Sequence, residues 1–265
     1  MSGAHREKLK RTFDQDAELY DKARPCYPAQ IFDDLHGLAC LGPEAMVLEV
    51  GCGTGQASLA LTQKGYRLVC LELGEQLAAV ARRKLAGLPR VEVVTSAFES
   101  WDPRGLVFDM VFAASSWHWL DSDVRYEKAA RLLEPAGALV ILSGGQAFPD
   151  DFDPFFTEIQ SCYEGLGEPR LDWPPPRPDQ IPDQREEIEK SGLFEIVEVR
   201  RYVWSIDYSA ESYIDLLDTY SGHIVWPQWK RDKLHAEVRK LISKRPEERI
   251  RMHYLSILHV CRLIP

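Results

Sequence analysis

A glycine-rich turn between an apolar segment and a helical segment is the feature that most constrains the fold of this chain. Residues 47–56 read VLEVGCGTGQ, so the apolar run carries a carboxylate at Glu49 and is followed by Gly51, Gly53 and Gly55. Glycine adopts positive φ and has no Cβ, which lets such a turn lie directly against a small molecule. The pattern predicts a strand, a tight turn and a helix N-terminus, the unit that holds ligands at the edge of an open α/β sheet.

The same turn argues against a nicotinamide dinucleotide site. The fingerprint of such sites, G-x-G-x-x-G, requires its third glycine at position 56, where Gln56 stands. A carboxylate at Glu49 also suits a ligand with a positive charge or a free amine better than a pyrophosphate. A nicotinamide-dependent oxidoreductase is therefore an alternative that the spacing disfavours, and a glycine-rich turn without any ligand is a second alternative.

Short apolar runs alternate with helical periods over residues 45–142. Strands are predicted at residues 46–50, 66–73, 91–94, 108–114 and 138–142, and helices at residues 57–64, 75–85 and 121–133. The second strand is continuously apolar at residues 68–71, as expected of a strand that is buried on both faces. This rhythm predicts an α/β fold with a doubly wound, mostly parallel sheet and right-handed crossovers.

The regular pattern stops after residue 145. Six prolines lie between residues 169 and 182, three of them consecutive, and proline neither donates to a strand ladder nor continues a helix. The elements predicted beyond this point are helices at residues 154–166, 208–220 and 228–243 and strands at residues 196–206 and 250–263.

Three segments resemble class I S-adenosylmethionine-dependent methyltransferases. The spacing E-x-G-x-G-x-G in residues 49–55 is similar to the first motif of that class. The run FDMVFAASSWHWLD at residues 108–121 resembles the small-molecule methyltransferases called type 11, including relatives of trans-aconitate methyltransferase. Residues 13–28 resemble the preface F-x-x-x-A-x-x-Y-x-x-x-R-P-x-Y-P of the same group. The resemblance covers residues 12–145.

The resemblance implies a fold, a cofactor and an activity. The fold is Rossmann-like, with a seven-stranded sheet, an antiparallel last strand and helical lid insertions. The cofactor is S-adenosyl-L-methionine, which leaves as S-adenosyl-L-homocysteine. The activity is transfer of a methyl group to a small-molecule acceptor by in-line displacement. A non-catalytic module that binds the same cofactor is the alternative from a different class, and the choice of O, N or C as the methylated atom stays open.

The matched positions imply a set of cofactor-binding residues. Glu72 ends the second predicted strand, where one carboxylate offers two oxygens to the two ribose hydroxyls. Ala97 and Phe98 match positions that flank the adenine. Tyr20 and Arg24 would share one face of a helix over the cofactor, with Arg24 paired either to the cofactor's carboxylate or to a neighbouring acid. The full set is Tyr20, Arg24, Glu49, Gly51, Cys52, Gly53, Gly55, Glu72, Leu73, Ala97, Phe98, Ala114, Ser115 and Trp117.

His118 is the candidate catalytic residue. It follows the fourth predicted strand, whose carboxyl end borders the same pocket as the glycine turn. A histidine in this place acts as a base, donates a hydrogen bond to the acceptor, or only orders its own loop. Its neighbours Trp117 and Trp119 either wall the pocket or pack into the core.

The chain is predicted to form a single methyltransferase domain over residues 1–265. Residues 1–40 form a cofactor lid, residues 41–145 form the cofactor-binding core, and residues 146–190 and 207–245 form caps on the acceptor side. The caps supply aromatic residues that suit either an apolar, planar acceptor or an ordinary core. These residues are Phe152, Phe155, Phe156, Tyr163, Trp173, Tyr213, Tyr220, Trp226 and Trp229.

Composition limits the compartments and the classes of partner that we expect for this chain. A net charge of −9 argues against binding to a nucleic-acid backbone. No stretch approaches the length of a membrane span, and residues 1–11 lack the apolar core of a signal peptide. The six cysteines form no C-x-x-C pair and no H-E-x-x-H motif occurs, so no metal is expected. We expect free thiols in a cytoplasmic monomer or homodimer.

Overall fold

A seven-stranded sheet forms the centre of the molecule. The computed structural model describes residues 14, 16–169, 173 and 175–264, so the first thirteen residues of the predicted lid lie outside the described residues. The strands are β1 (Met46–Val50), β2 (Arg67–Glu72), β3 (Val91–Thr95), β4 (Phe108–Ala114), β5 (Leu133–Ala147), β6 (Phe194–Ser209) and β7 (Arg249–Leu263).

The order of the strands creates a ligand-binding crevice. The order is β3-β2-β1-β4-β5-β7-β6. Strands β1 to β5 pair in parallel, whereas β7 is antiparallel to both β5 and β6. The predicted doubly wound, mostly parallel sheet with an antiparallel last strand is therefore confirmed. The winding direction reverses between β1 and β4, and open α/β sheets bind ligands beyond the strand ends at such a reversal.

Helices cover both faces of the sheet. They are α1 (Ala17–Ala23), α2 (Ala29–Ala39), α3 (Gln56–Gln63), α4 (Glu75–Leu85), α5 (Arg125–Leu132), α6 (Phe155–Glu158), α7 (Gln160–Gly165), α8 (Arg185–Lys190), α9 (Ala210–Asp218), α10 (Ser221–Ile224) and α11 (Gln228–Ile242). Short 3₁₀ turns lie at Trp117–Trp119 and Pro246–Glu248. Within the described residues, no helix combines the length and the apolar character that a bilayer span requires.

Three large buried cores hold these layers together. On one face of the sheet, α2, α3 and α4 contribute Leu35, Leu61 and Leu85. On the other face, α5 and α8 contribute Leu132 and Ile188. A third core lies beyond the carboxyl ends of the central strands, where α6, α7, α9 and α11 pack on the ends of β6 and β7. This third core supports a cap above the crevice.

Strand β5 is longer than the sequence predicts. The predicted strand at residues 138–142 starts earlier in the structure, because Leu133 pairs with Phe108 of β4 directly after α5. It also ends later, because residues 143–147 pair with β7. Both ends of β5 are set by pairing with distant strands, which no local sequence pattern indicates.

The extended end of β5 has a consequence for the crevice. Strand β4 ends at Ala114, opposite Leu142, whereas β5 continues to Ala147. The last residues of β5 therefore pair with β7 on one side and face the crevice beyond β4 on the other. Glycines at positions 144 and 145 keep this part of the strand free of bulky side chains.

Two predicted helices have different bounds in the structure. The helix predicted at residues 154–166 is divided into α6 and α7. The helix predicted at residues 208–220 begins later, as α9, because Ser209 accepts a hydrogen bond from the backbone N–H of Ser212 at 3.3 Å and caps the helix. The helix predicted at residues 75–85 is confirmed.

Candidate functional site

A cavity of about 510 Å³ lies at the carboxyl ends of the central strands, a size typical of small-molecule sites. One end is formed by the glycine turn, Glu72 and the loops after β3 and β4. The other end is formed by the end of β5, the neighbouring parts of β6 and β7, and the residues at the junction of α9 and α10. We call these the turn end and the cap end of the cavity.

The three glycines of the turn serve different purposes. All have positive φ, 70° at Gly51, 58° at Gly53 and 84° at Gly55. A Cβ on Gly51 would lie 2.6 Å from Ser116, so this glycine allows the turn to pack against the loop after β4. A Cβ on Gly53 would meet no atom closer than 3.8 Å. Gly53 therefore leaves open space for a ligand at the cavity wall.

Glu72 is held in place by the backbone of the turn. Gly53 N–H donates to its Oε2 and Gly74 N–H donates to its Oε1, each at 2.8 Å. The side chain is 9% exposed and lines the cavity. Burial raises the pKa of Glu72, and the two backbone bonds lower it in part. Each carboxylate oxygen keeps a further lone pair, so the group can accept two more hydrogen bonds from a ligand.

Glu49 is a buried carboxyl beneath the turn. It is 1% exposed and accepts a hydrogen bond from the Ser58 hydroxyl at 2.6 Å. Burial, the largest effect, raises the pKa of Glu49 to about 7. The thiols of Cys52 and Cys70 lie beside it, and their pKa values are also raised, so both thiols are protonated at neutral pH. A positively charged group bound near Glu49 would therefore favour the ionised form of its carboxyl.

Helix α1 covers the turn end of the cavity. Tyr20 and Arg24 share a face, as predicted, and the guanidinium lies 5.0 Å from the Tyr20 ring centroid. It lies 4.8 Å from the ring centroid of Tyr220 on the other side and donates to Thr219 O at 2.9 Å. Lys22 forms an exposed ion pair with Asp215 of α9 at 2.7 Å. These contacts connect α1 to α9 and to the two residues that follow it.

The loops after β2, β3 and β4 bring most of the remaining predicted residues to the cavity. Leu73, Ala97, Phe98, Ala114 and Ser115 all line it. The side chain of Phe98 is also packed in the core, with 2% of its surface exposed. The hydroxyl of Ser115 is within hydrogen-bond distance of the Tyr27 hydroxyl, at 2.9 Å.

Two predicted cofactor residues lie away from the cavity surface. Trp117 is 1% exposed and packs edge-on against Tyr126, with ring centroids 5.3 Å apart. Arg125 donates to the Trp117 backbone oxygen at 2.6 Å, which directs the indole into the core. A Cβ on Gly55 would lie 3.2 Å from Leu85, so this glycine allows close packing of the turn on α4. Both residues shape the site without forming its wall.

His118 lines the cavity beside Trp119. Its ring centroid lies 5.0 Å from that of Trp119. The side chain is exposed, and no hydrogen bond joins it to another of the described residues. Desolvation by its surroundings, followed by the charge of Arg125, lowers the pKa of His118. The imidazole is therefore neutral at pH 7 and able to accept a proton.

The cap end contains residues that the sequence did not indicate. They are Ser143, Gly144, Gly145, Gln146, Trp204, Leu216, Tyr254, Leu255 and Ser256. These residues come from distant segments and meet only because β7 lies between β5 and β6. The glycine pair after a predicted strand was the one local signal available.

Most of the aromatic residues of the predicted caps belong to an ordinary core, which is one of the two alternatives that the sequence leaves open. Of the nine, Tyr220 lines the cavity. Tyr213, Phe155 and Phe156 are buried in the third core, where aromatic rings pack edge-on against each other. Trp229 is 59% exposed. Most of these rings therefore pack inward, as the alternative of an ordinary core predicts.

The comparisons with known proteins agree with the geometry of the turn end. Residues 47–137 match a family described as a methyltransferase domain. An uncharacterized methyltransferase of Mycobacterium tuberculosis is 25% identical over 241 residues, which are 91% of this chain and 89% of that protein. A solved structure from Anaeromyxobacter dehalogenans, described as a type II methyltransferase, has a TM-score of 0.64 at 23% identity and covers 91% of this chain and 99% of its own.

The same fold also occurs with another activity. The solved [4+2]-cyclase SpnF has a TM-score of 0.55 at 17% identity, covering 94% of this chain and 93% of its own. A shared fold therefore does not specify the reaction, and the identification requires the turn and the family match as well.

The strand order and the acid-and-glycine turn after β1 are typical of class I methyltransferases, and the methyltransferase-domain match over residues 47–137 agrees with them. Together these findings support a class I S-adenosylmethionine-dependent methyltransferase. The turn end fits this cofactor, since a Cβ on Gly53 would occupy space that the turn leaves open and Glu72 keeps lone pairs for two hydroxyls. Among the described residues, no cluster of histidine, cysteine or carboxylate side chains could hold a metal ion.

Proposed function

We propose that this chain methylates a small organic molecule held at the cap end of the cavity, while the cofactor occupies the turn end. The observation that carries the proposal is the continuity of one cavity from Glu72 to Gln146 and Tyr254. A donor and an acceptor placed at its two ends meet inside it, away from most of the solvent. Such placement converts a reaction between two dissolved molecules into a reaction within one complex.

The proposed cofactor contacts follow from the geometry of the turn end. Glu72 accepts the two ribose hydroxyls with the lone pairs that its backbone bonds leave free. The backbone at Gly53 approaches the cofactor closely because it has no Cβ. Ala97 and Phe98 flank the adenine. Glu49 favours the amino group of the cofactor when its carboxyl is ionised.

We propose that α1 acts as the lid of the cofactor site. Tyr20 and Arg24 line the cavity from this helix, and Arg24 also contacts Tyr220 and Thr219 of the cap. A lid that touches both the core and the cap closes over both ligands at once. Closure of this kind excludes water from a reaction that water would compete with.

The chemistry requires a methyl donor and, for some acceptors, a base. When bound, the cofactor supplies an activated methyl group, whose carbon bonds to the acceptor as the carbon–sulfur bond breaks and the sulfonium becomes a neutral thioether. We propose that His118 accepts the proton that a hydroxyl acceptor loses. Its ring is neutral at pH 7, lines the cavity and is open to solvent, to which it passes the proton.

The small size of the acceptor is also part of the proposal. A cavity of about 510 Å³ has to hold the cofactor and the acceptor together. With the lid helix on one side and the cap on the other, the remaining volume suits a small molecule rather than a segment of a macromolecule. A chain with a net charge of −9 also lacks the attraction for a nucleic acid. We propose a reducing compartment, the cytoplasm, because all six cysteines are free thiols.

The proposal is tested by two measurements on the same purified protein. Calorimetry with S-adenosylhomocysteine reports the cofactor site, and transfer of a tritiated methyl group to a panel of small acceptors reports the reaction. We expect binding and transfer to be present together. Binding without transfer to any acceptor class would support the non-catalytic alternative, and absence of nucleoside binding would contradict the account of the turn end.

A further inference from the structure

Three residues on adjacent strands form a row across the floor of the cap end. Gln146 of β5 lies directly opposite Tyr254 of β7, which in turn lies directly opposite Trp204 of β6. Residues opposite each other in neighbouring strands project from the same face of the sheet. All three line the cavity. The row is therefore a continuous surface, and two of its three residues are aromatic.

The aromatic part of the row is fixed in position. The rings of Trp204 and Tyr254 are stacked, with centroids 4.8 Å apart and planes 24° from parallel. The indole N–H of Trp204 donates to the Ser256 hydroxyl at 3.0 Å. The hydroxyls of Tyr254 and Tyr208 are 2.8 Å apart and share a hydrogen bond. A surface held by these bonds offers a flat, preformed platform to a planar molecule.

Gln146 presents a free hydrogen-bond acceptor at the end of the row. Its side-chain nitrogen donates to the Tyr220 hydroxyl at 3.0 Å, which connects the floor of the cap end to its roof. The carbonyl oxygen of the same amide makes no hydrogen bond to the described residues. Because the amide plane is fixed by Tyr220, this oxygen has a defined direction and accepts a hydrogen bond from a ligand.

In the described part of the chain, the lining of the cap end is uncharged. The described residues that line it from β5, β6, β7, α9 and α10 carry no ionised side chain. The carboxylates of the cavity, Glu49, Glu72 and Glu99, lie at the turn end. The guanidinium of Arg24 lies at the border of the two ends, between two tyrosine rings. A charged acceptor over the row would therefore lose its hydration without a counter-charge from the strands beneath it, which is unfavourable.

We propose that the cap end binds a planar, uncharged acceptor that carries a hydroxyl group, a phenol or an enol, with its ring over the Gln146–Tyr254–Trp204 row and its hydroxyl donating to the Gln146 carbonyl oxygen until that proton passes to His118. This inference rests on the proposed function, because it names the acceptor class for the same cavity. Gln146 is then a residue that selects the acceptor and orients it, and Trp204 is its platform.

Three probes that share one ring system test the proposal. They are 2-naphthol, 2-naphthoate and protonated 2-naphthylmethylamine, which place a hydroxyl, a carboxylate and an ammonium on the same scaffold. Each is titrated calorimetrically into the protein saturated with S-adenosylhomocysteine. We expect 2-naphthol to bind at least about tenfold more tightly than either charged probe, the effect of one satisfied hydrogen bond without an unpaired charge. Tighter binding of 2-naphthoate, which would place the acceptor on Arg24, or of the ammonium overturns the proposal.

Variants of Gln146 separate this site from unspecific binding of an apolar ring. In Gln146→Leu, which keeps the size but not the hydrogen bond, we expect the affinity for 2-naphthol to fall about tenfold. In Gln146→Glu, we expect the affinity for the ammonium probe to rise, because the variant supplies the missing negative charge. The control is Gln228→Ala, at an exposed position of α11, which should change neither affinity. Unchanged probe affinities in both Gln146 variants contradict the proposal.

The platform has its own test. In Trp204→Ala we expect weaker 2-naphthol binding with unaltered affinity for S-adenosylhomocysteine. The matched control is Val203→Ala, since Val203 is the preceding residue of β6, is 52% exposed and does not line the cavity. Equal losses in the two variants would show a general effect on β6 and would overturn the role of Trp204.

The same experiments distinguish failure of this inference from failure of the proposed function. If a charged acceptor is methylated and Gln146→Leu does not change its KM, the proposed function stays intact and the acceptor class is refuted. Selective binding of 2-naphthol without methylation of it or of any other acceptor would support the binding site and refute the transferase function. Loss of S-adenosylhomocysteine affinity in Gln146→Leu would contradict the separation of the two ends.

Discussion

The backbone N–H of Gly53 donates a hydrogen bond to the Glu72 carboxylate at 2.8 Å. This bond joins the glycine turn after β1 to the end of β2, so the two halves of the predicted cofactor motif are held together as one unit by the protein's own backbone. Preorganisation of this kind reduces the entropy that binding has to overcome. Substitutions of Gly53 and of Glu72 test the two halves of this unit separately.

Replacement of Glu72 with alanine should weaken S-adenosylhomocysteine binding. The loss of hydrogen bonds from two ribose hydroxyls to a charged acceptor corresponds to about 1.5–3 kcal/mol. The measurement is calorimetric titration, with thermal unfolding as a check on the fold. The control is Glu75→Ala, an exposed acid of the same region, which should bind normally. Normal affinity in Glu72→Ala would remove this residue from the cofactor site.

Replacement of Gly53 with valine should abolish cofactor binding while the protein still folds. The new side chain meets no protein atom closer than 3.8 Å at its Cβ and instead fills the space proposed for the cofactor. A left-handed backbone at this position adds a strain of about 1–2 kcal/mol. Gly105→Val is the control for that strain, because Gly105 has a φ of 84° in open space away from the cavity. If both variants bind alike, the turn does not touch the cofactor.

Buried Glu49 makes stability depend on pH. Its pKa is about 7 in the folded protein, above the ordinary value of 4.5, so the folded state binds a proton that the unfolded state has lost. The resulting stabilisation is fully present below pH 4.5 and is lost as the pH rises to about 7. Chemical denaturation from pH 5 to pH 7.5 should show stability falling in the wild type and a flatter profile in Glu49→Gln. Parallel profiles would contradict the raised pKa.

The same group should make cofactor affinity depend on pH in the opposite sense. If the amino group of the cofactor lies near Glu49, binding favours the ionised carboxyl, and affinity for S-adenosylhomocysteine rises between pH 6 and pH 8. Glu49→Gln should lose this rise. A rise of equal size in the variant would assign the proton to another group.

The contacts of Arg24 predict a role in cofactor release. In Arg24→Ala, the lid loses its contacts with Tyr220 and Thr219, so we expect the dissociation rate of S-adenosylhomocysteine to increase about tenfold or more. Lys22→Ala is the matched variant, since it removes only an exposed ion pair from the same lid helix to Asp215 of α9, and solvent screens such a pair. Stopped-flow displacement gives both rates, and equal rates in the wild type and Arg24→Ala would exclude Arg24 from the lid.

His118 is tested by turnover and cofactor affinity together. With a hydroxyl acceptor, loss of the catalytic base in His118→Ala should reduce turnover by about 10²–10⁴-fold. The affinity of this variant for the cofactor should stay unchanged. Because the lowered pKa keeps the imidazole neutral at pH 7, wild-type turnover should be constant from pH 7 to pH 8 and decrease in acid. Full activity of the variant would end the catalytic proposal, and joint loss of stability and cofactor affinity would indicate a loop-ordering role.

The turn end of the site was predictable because its parts are close in sequence and each has a local pattern. The apolar run ending at Glu49, the three glycines and the acid at Glu72 belong to one βαβ unit whose geometry is general. Trp117 was less predictable, because an aromatic residue beside a cavity either faces it or packs behind it. The contacts with Arg125 and Tyr126 decide that choice, and these contacts depend on tertiary structure.

The cap end was not predictable for a different reason. Gln146, Tyr254 and Trp204 meet because β7 pairs with β5 on one side and with β6 on the other. The register of these pairs is set over long strands, and a shift of one residue would turn each side chain to the other face. The aromatic residues of the caps are evident in the sequence, but most of them are buried in or packed against the third core.

The central claim is that the cofactor occupies the turn end and leaves the cap end for the acceptor, and a crystal structure with S-adenosylhomocysteine tests it most directly. The account predicts the ribose hydroxyls within hydrogen-bond distance of Glu72, the adenine beside Ala97 and Phe98, and the sulfur directed toward the Gln146–Tyr254–Trp204 row. A nucleoside bound over Gln146, Tyr254 and Trp204, with Glu72 free of contacts to it, would contradict the account.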